Sequence, residues 1–152
     1  MSADHKQIAY KWISRTLTSD KEIKVLEEKL LRLETDINNC VKPMEKSEVQ
    51  NGSSSNSQEI KLAEYSDLRN EIQTRISKLQ SDDMKVLSAI RKLEDASERV
   101  ILIERYVNRK KWKDIYDEVY MSKTTCFRHH EHALEEIYDY IPQADLLEMT
   151  ED

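Results

Sequence analysis

Trp112-Lys-Asp-Ile-Tyr-Asp-Glu-Val119, Tyr120-Met121, Ser122-Lys-Thr-Thr-Cys-Phe-Arg-His-His130 is the stretch on which the fold turns. Trp112, Ile115 and Val119 recur at three and four residues, the spacing of one face of a short helix. Ser122 offers a hydroxyl to the unpaired backbone N–H groups of a following helix, so the chain should turn at Tyr120-Met121 and start again. In that following helix Cys126, His129 or His130, Ala133, Leu134 and Ile137 share the inward face, and Lys123, Thr124, Thr125, Phe127, Arg128 and Glu131 lie outward or at its edge. Pro142 disfavours helical geometry at Ile141 and ends the helix near Tyr140. Upstream, Ser97 can cap a short helix over 98–107, and Asn108-Arg109-Lys110-Lys111 reads as a turn. Two short helices, a tight turn and a longer third helix are the order of a helix-turn-helix.

Outward from this stretch the chain is made for helices. One Gly, two Pro and 36% charged side chains in 152 residues do not suit a sheet protein, which needs tight turns. A short apolar-sided segment over 6–16 carries Ile8, Tyr10, Trp12 and Ile13, and Ser19 or Asp20 can cap a new helix after it. There Ile23, Leu26, Leu30, Leu33, Ile37, Cys40 and Met44 are spaced alternately by three and four, a coiled-coil seam. Pro43 should bend or end that helix. Residues 47–57, rich in Ser and Asn, cannot bury enough apolar area to offset ordering entropy and read as a flexible loop. Tyr65, Leu68, Ile72, Ile76 and Leu79 then form a second seam, with Asp82-Asp83 beyond it as solvated positions. The two seams need partners. Either they face each other in an antiparallel hairpin or they associate with another copy, and the sequence leaves both open.

The expected architecture is therefore all-α: a hairpin or coiled coil over 1–94, a helix-turn-helix domain over 95–141, and a loosely held acidic tail over 142–152. Two distant cysteines, no apolar segment of membrane length and no signal-peptide core point to a reduced, cytoplasmic setting. Net charge is −6, which argues against indiscriminate nucleic-acid binding. The distribution says more: residues 105–132 hold seven Lys/Arg against four Asp/Glu. In a helix-turn-helix the second helix of the pair enters the major groove N-terminus first, while the first crosses the backbone. Lys123 and Arg128 can reach phosphates or guanine edges, Thr124 and Thr125 can donate to phosphate or touch a thymine methyl, and Ser122 belongs to the same DNA-facing set. Phe127 and His130 complete that set, and Lys110, Lys111 and Lys113 are placed to grip the backbone. The acidic front half is expected to restrain binding by repelling phosphate.

Ser97-Glu-Arg-Val-Ile-Leu-Ile-Glu-Arg-Tyr106, Trp112-Lys-Asp-Ile-Tyr116, Ser122-Lys-Thr-Thr-Cys-Phe-Arg128 and His130-Glu-His-Ala-Leu134 resemble region 4 of sigma-70 factors. They are more similar still to phage and prophage transcription regulators of the RinA/ArpU type. Arg99, Leu102, Arg105, Tyr106, Trp112, Ile115, Ser122, Thr125, Cys126, Phe127, Arg128, His130, Ala133 and Leu134 carry the likeness. The order of segments in the front half is similar as well. Tyr120 stands where that family often has Gly, Tyr116 replaces a small residue, and Glu131 replaces a basic one. The resemblance implies a regulator in a bacterial host cell that binds double-stranded promoter DNA and activates late phage genes through host RNA polymerase. The hairpin is expected to set either a homodimer or the polymerase contact.

Rival chemistries are weaker. Cys126, His129, His130 and His132 are possible zinc ligands, but His132 leaves the shared face and no second ligand pair has finger-like spacing. No metal or other cofactor is expected. No glycine-rich phosphate loop, nucleophile elbow or carboxylate constellation points to an enzyme. The alternative that remains is a protein-interaction module acting on RNA polymerase or a sigma factor without reading bases.

Overall fold

The computed structural model describes residues 2–41 and 52–151. They form helices α1 (Ser2–Val41), α2 (Gly52–Arg91), α3 (Ala96–Leu102), α4 (Trp112–Val119), α5 (Lys123–Ile137) and α6 (Gln143–Thr150), with no strand among the described residues. A π-helical turn, Ile103–Val107, continues α3, and a 3-10 turn, Tyr138–Tyr140, follows α5. The class is all-α, as the composition requires.

Four local expectations are corrected. The break at Ser19-Asp20 is absent, and α1 runs through it. No Gly or Pro interrupts 17–22, so the caps there have no helix end to serve; Asp20 instead pairs with Lys24 one turn on. Of the loop expected over 47–57, residues 47–51 lie outside the described residues, as do Pro43 and Met44, while 52–57 open α2. Extending an existing helix by Ser or Asn costs well under ~1 kcal/mol per residue, far less than nucleating one. The cap of α3 is Asp95, which accepts from the N–H groups of Ser97 and Glu98 at 2.7 and 3.2 Å. Residues 143–150, expected as loose tail, are α6.

The chain divides into two compact units, Asp20–Lys78 and a unit of Met1–Ser19 with Leu79–Asp152. In the first, the seams meet antiparallel. Glu22 accepts a hydrogen bond from Arg75, and a groove is lined by Lys29 and Leu33 on one side and Glu64, Asp67, Leu68 and Glu71 on the other. Ile23, Ile37, Leu68 and Ile72 are buried, and Leu26, Leu30, Leu33 and Ile76 are half-buried. Val25, Leu31, Ile60 and Leu62, off the seam, stay exposed.

The second unit holds the main core, and the boundary expected at residue 94 does not separate it. Ala9, Trp12 and Ile13 of α1, Val86, Ala89, Ile90 and Leu93 of α2, and Leu102, Tyr106, Ala133, Leu134 and Ile137 form one buried cluster. Leu79, the last seam residue, is buried in this unit. Each Val, Leu and Ile among them contributes roughly 1.5–3 kcal/mol on burial. Polar groups are matched within it. Thr16 Oγ1 donates toward the carbonyls of Ile13 and Tyr106, at 3.0 and 3.1 Å, the latter in the π turn. Trp12 Nε1–H donates to Asp145 at 2.9 Å, and Arg15 and Lys85 approach the same carboxylate at 3.4 and 3.5 Å. Leu146 and Met149 of α6 pack on the core. These contacts are what order residues 143–150.

Candidate nucleic-acid interface

A smaller core supports α4 and α5. Ile101, Ile115 and Cys126 are fully buried, with Trp112, Tyr116, Val119 and Met121 around them. Burial pushes the Cys126 thiol pKa up. The helices are joined by three residues, Tyr120, Met121 and Ser122. Tyr120 adopts φ 55, ψ 42, and Met121 N–H bonds back to the Tyr116 carbonyl at 3.3 Å. This is the left-handed stop usually made by Gly. Ser122 caps α5, its Oγ accepting from Thr125 N–H at 3.2 Å. Arg109 ends the preceding helix in the same left-handed region, φ 57.

Arg99 donates to the carbonyls of Leu93 and Glu94 at 2.6 and 2.9 Å, closing the end of α2. Arg105 lies over the Trp112 ring, 5.1 Å from its centroid, and donates to the Lys110 carbonyl. Tyr106 and His130 are buried together, hydroxyl to Nε2 at 2.7 Å. Burial brings His130 down to about 4 and pushes Tyr106 up, so both are neutral and share one hydrogen bond between hydroxyl and Nε2. Most of the motif that carries the sequence resemblance therefore holds the fold together.

The ten residues expected at DNA separate accordingly. Ser122, Lys123, Thr124, Arg128, Lys111 and Lys113 are exposed, and Thr125 is half-buried beside its cap. His130 is not on the outer face; its place in the core is a correction to the expected set. Phe127 is half-buried, its ring 4.8 Å from Trp112 and 6.0 Å from Tyr116. Lys110 is held by Glu104 and by Glu118 at 2.8 Å, and that ammonium holds the Glu104 carboxyl down to about 2. Arg109 binds both oxygens of Asp83 at 3.0 and 2.8 Å, so Asp83 is not the solvated residue expected, and Asp82 is buried. Of the seven cations in 105–132, Arg105, Arg109 and Lys110 are thus committed within the chain. Lys111, Lys113, Lys123 and Arg128 point to solvent with no ion pair among the described residues. Asp114 and Asp117 on the outer side of α4 are exposed too, whereas Glu131 lies 3.5 Å from Lys6.

The surrounding negative charge is not where the sequence reading put it. Residues 1–104 hold 17 Lys/Arg and 19 Asp/Glu, close to balance. Residues 133–152 hold seven Asp/Glu and no Lys or Arg. The acidic excess therefore follows residue 132, and Asp114 and Asp117 are the carboxylates exposed on α4 itself.

The metal set considered from sequence does not assemble: Cys126 is buried with Ile101 and Ile115, His130 Nε2 is taken by the Tyr106 hydroxyl, and His129 and His132 face carboxylates of 95–98 and 136 instead. Sequence reading missed Asp95 as a cap, though Asp95-Ala-Ser-Glu98 has the spacing of a capping box. It also missed Asp145, for which no local pattern exists. Among the described residues, no helix is long and apolar enough to cross a membrane. A family model described as "Protein of unknown function (DUF1492)" matches residues 40–138. No curated protein and no solved structure matches the chain.

Proposed function

We propose that this chain, which belongs to the DUF1492 family of proteins of unknown function, is a DNA-binding transcription regulator whose helix-turn-helix is α4, the Tyr120–Ser122 turn and α5. The observation that carries the reading is the state of the cations: four exposed Lys/Arg, with no ion pair among the described residues, lie on this pair of helices, two of them in the first six residues of a capped α5. Lys123 and Arg128 read bases or hold phosphates at the N-terminal end of α5. Lys111 and Lys113, at the start of α4, hold the backbone, and the unpaired N–H groups at the α5 N-terminus favour a phosphate. The resemblance to RinA/ArpU-type regulators extends the reading to activation of late phage promoters with host RNA polymerase in a bacterial cytoplasm. The α1–α2 pair supplies the polymerase contact or a homodimer contact. If the protein dimerises, its DNA site holds half-sites about one helical turn, or a multiple, apart.

Selection of binding sites from a random DNA library, with Arg128→Ala in parallel, tests this. A motif recovered with the natural chain and lost in the variant supports base readout by α5. A motif unchanged by Arg128→Ala and by Lys123→Ala removes α5 as the reader. Enrichment by neither protein favours the second reading, a module that acts on RNA polymerase or a sigma factor. One observation speaks for that second reading: an apolar groove of about 350 Å³ beside α5, lined by Tyr10, Phe127 and Leu134, with Lys6, Gln7, His130 and Glu131 at its edges.

A further inference from the structure

The Glu98 side chain is 3% exposed, yet only one of its carboxylate oxygens is satisfied. Oε1 bonds to His132 Nδ1, and Oε2 is buried with no hydrogen-bond partner. A buried carboxylate oxygen without a donor is rare, because it has lost its water and gained nothing in return. Asp95 and His129 stand beside the same carboxylate. Glu98, Asp95 and His129 each offer a ligand atom within 4.8 Å of the other two. Asp95 already uses Oδ1 on the N–H groups of Ser97 and Glu98, which fixes its carboxylate and leaves its second oxygen available. On the far side His132 is itself bracketed, its Nε2 lying 3.5 Å from Glu136.

We propose that Asp95, Glu98 and His129 bind one divalent transition-metal ion, zinc in the first instance. Oε2 of Glu98 is the central ligand, and His132 with Glu136 forms the outer layer that orients it. Carboxylate oxygen and imidazole nitrogen are both zinc ligands, and three protein ligands with water in the fourth position is the arrangement of an open zinc site. Hard cations such as Mg²⁺ prefer oxygen alone and are disfavoured by the imidazole. The hydrogen bond from His132 does for Glu98 what outer partners do at metal sites: it fixes the orientation of the ligand. The ion joins the cap and first turn of α3 to the middle of α5, so it ties those two helices together. The proposal stands whether or not α5 reads DNA.

The test uses the tag-free full-length chain, Zn²⁺ alone and Mg²⁺ alone, with equilibrium dialysis for stoichiometry and thermal unfolding for stability. The expected result is one zinc per chain and a Tm that rises with zinc concentration, since an ion bound only to the folded state stabilises it by mass action. His129 is half-buried with no hydrogen bond to lose, so His129→Gln should fold normally and weaken zinc at least ~10-fold. Glu98→Gln should abolish the zinc-dependent Tm rise, and His132→Gln should weaken zinc by about 10-fold. Absence of zinc at equilibrium, an unchanged affinity in His129→Gln, or an equal Tm rise with Mg²⁺ would each overturn the assignment. So would loss of zinc in Cys126→Ser with full binding in Glu98→Gln.

Discussion

Tyr120 is the residue at which sequence and conformation disagree most openly. It holds a left-handed backbone with a side chain 94% exposed, so it pays the Cβ clash and receives almost no packing in return. Tyr120→Gly should therefore stabilise the chain by about 1 kcal/mol in chemical denaturation. Arg109 has the same backbone, but its guanidinium binds Asp83 and the Val107 carbonyl. Arg109→Gly should be neutral or destabilising, and the contrast separates backbone strain from side-chain contacts. His130 gives a pH signature. Its folded pKa, about 4, lies below the unfolded value near 6.5, so the unfolded chain binds the extra proton between the two. Its contribution is complete above pH ~6.5 and is lost as pH falls toward 4, by about 3 kcal/mol in all. Denaturation midpoints measured between pH 4 and 7 should show that slope, and His130→Gln should remove it. A slope unchanged by the substitution would place the titrating group elsewhere.

At the level of elements, α4 and α5 combine two kinds of lysine that the sequence does not distinguish. Lys110 is tied to Glu104 and Glu118, whereas Lys111 and Lys113 are exposed, with no ion pair among the described residues. On the proposed reading, Lys111→Ala and Lys113→Ala should each lower the magnitude of the log K against log salt slope for DNA by about 0.9. Lys110→Ala should leave that slope nearly unchanged and lower stability, because it strands Glu104. Equal effects of all three on the slope would mean that the Lys110 pairs open at DNA. α6 offers an equally direct check. Truncation after Ile141 removes the acceptor of the Trp12 indole and the cover given by Leu146 and Met149. A loose tail could be removed at no cost; here unfolding should come at lower denaturant and Trp12 fluorescence should change in the folded state.

For the whole molecule, the division into units makes a domain experiment possible and rules out another. Deleting residues 1–80 to relieve charge would take Ala9, Trp12 and Ile13 out of the main core. Replacing 20–78 with a short Gly/Ser linker leaves that core whole. The shortened chain should unfold cooperatively and, on the proposed reading, keep the recovered DNA motif. Failure to fold would show that the seam of the 20–78 unit supplies stability that the Trp12 core lacks. Its affinity for random DNA at low salt should change little, since 1–104 is nearly balanced in charge and the acidic excess follows residue 132.

Local pattern was enough for α4 and α5, though not for α6 or for the cap of α3. Ser122 as a cap, Trp112–Val119 as a helix, the stop before Pro142 and the burial of Cys126 all follow from spacing and side-chain chemistry within a few residues. The seams were legible for the same reason, since a three-four repeat needs no knowledge of the partner to declare its face. Their antiparallel pairing was not legible, because either of two partners would bury the same stripe. What only the tertiary structure decided has one cause: contacts between residues far apart in the chain, such as Trp12 with Asp145, His130 with Tyr106, and Glu98 with His132. Each turns a side chain that reads as solvated or as a ligand into one whose position is set by desolvation, and burial depends on the whole chain rather than on its neighbours in sequence.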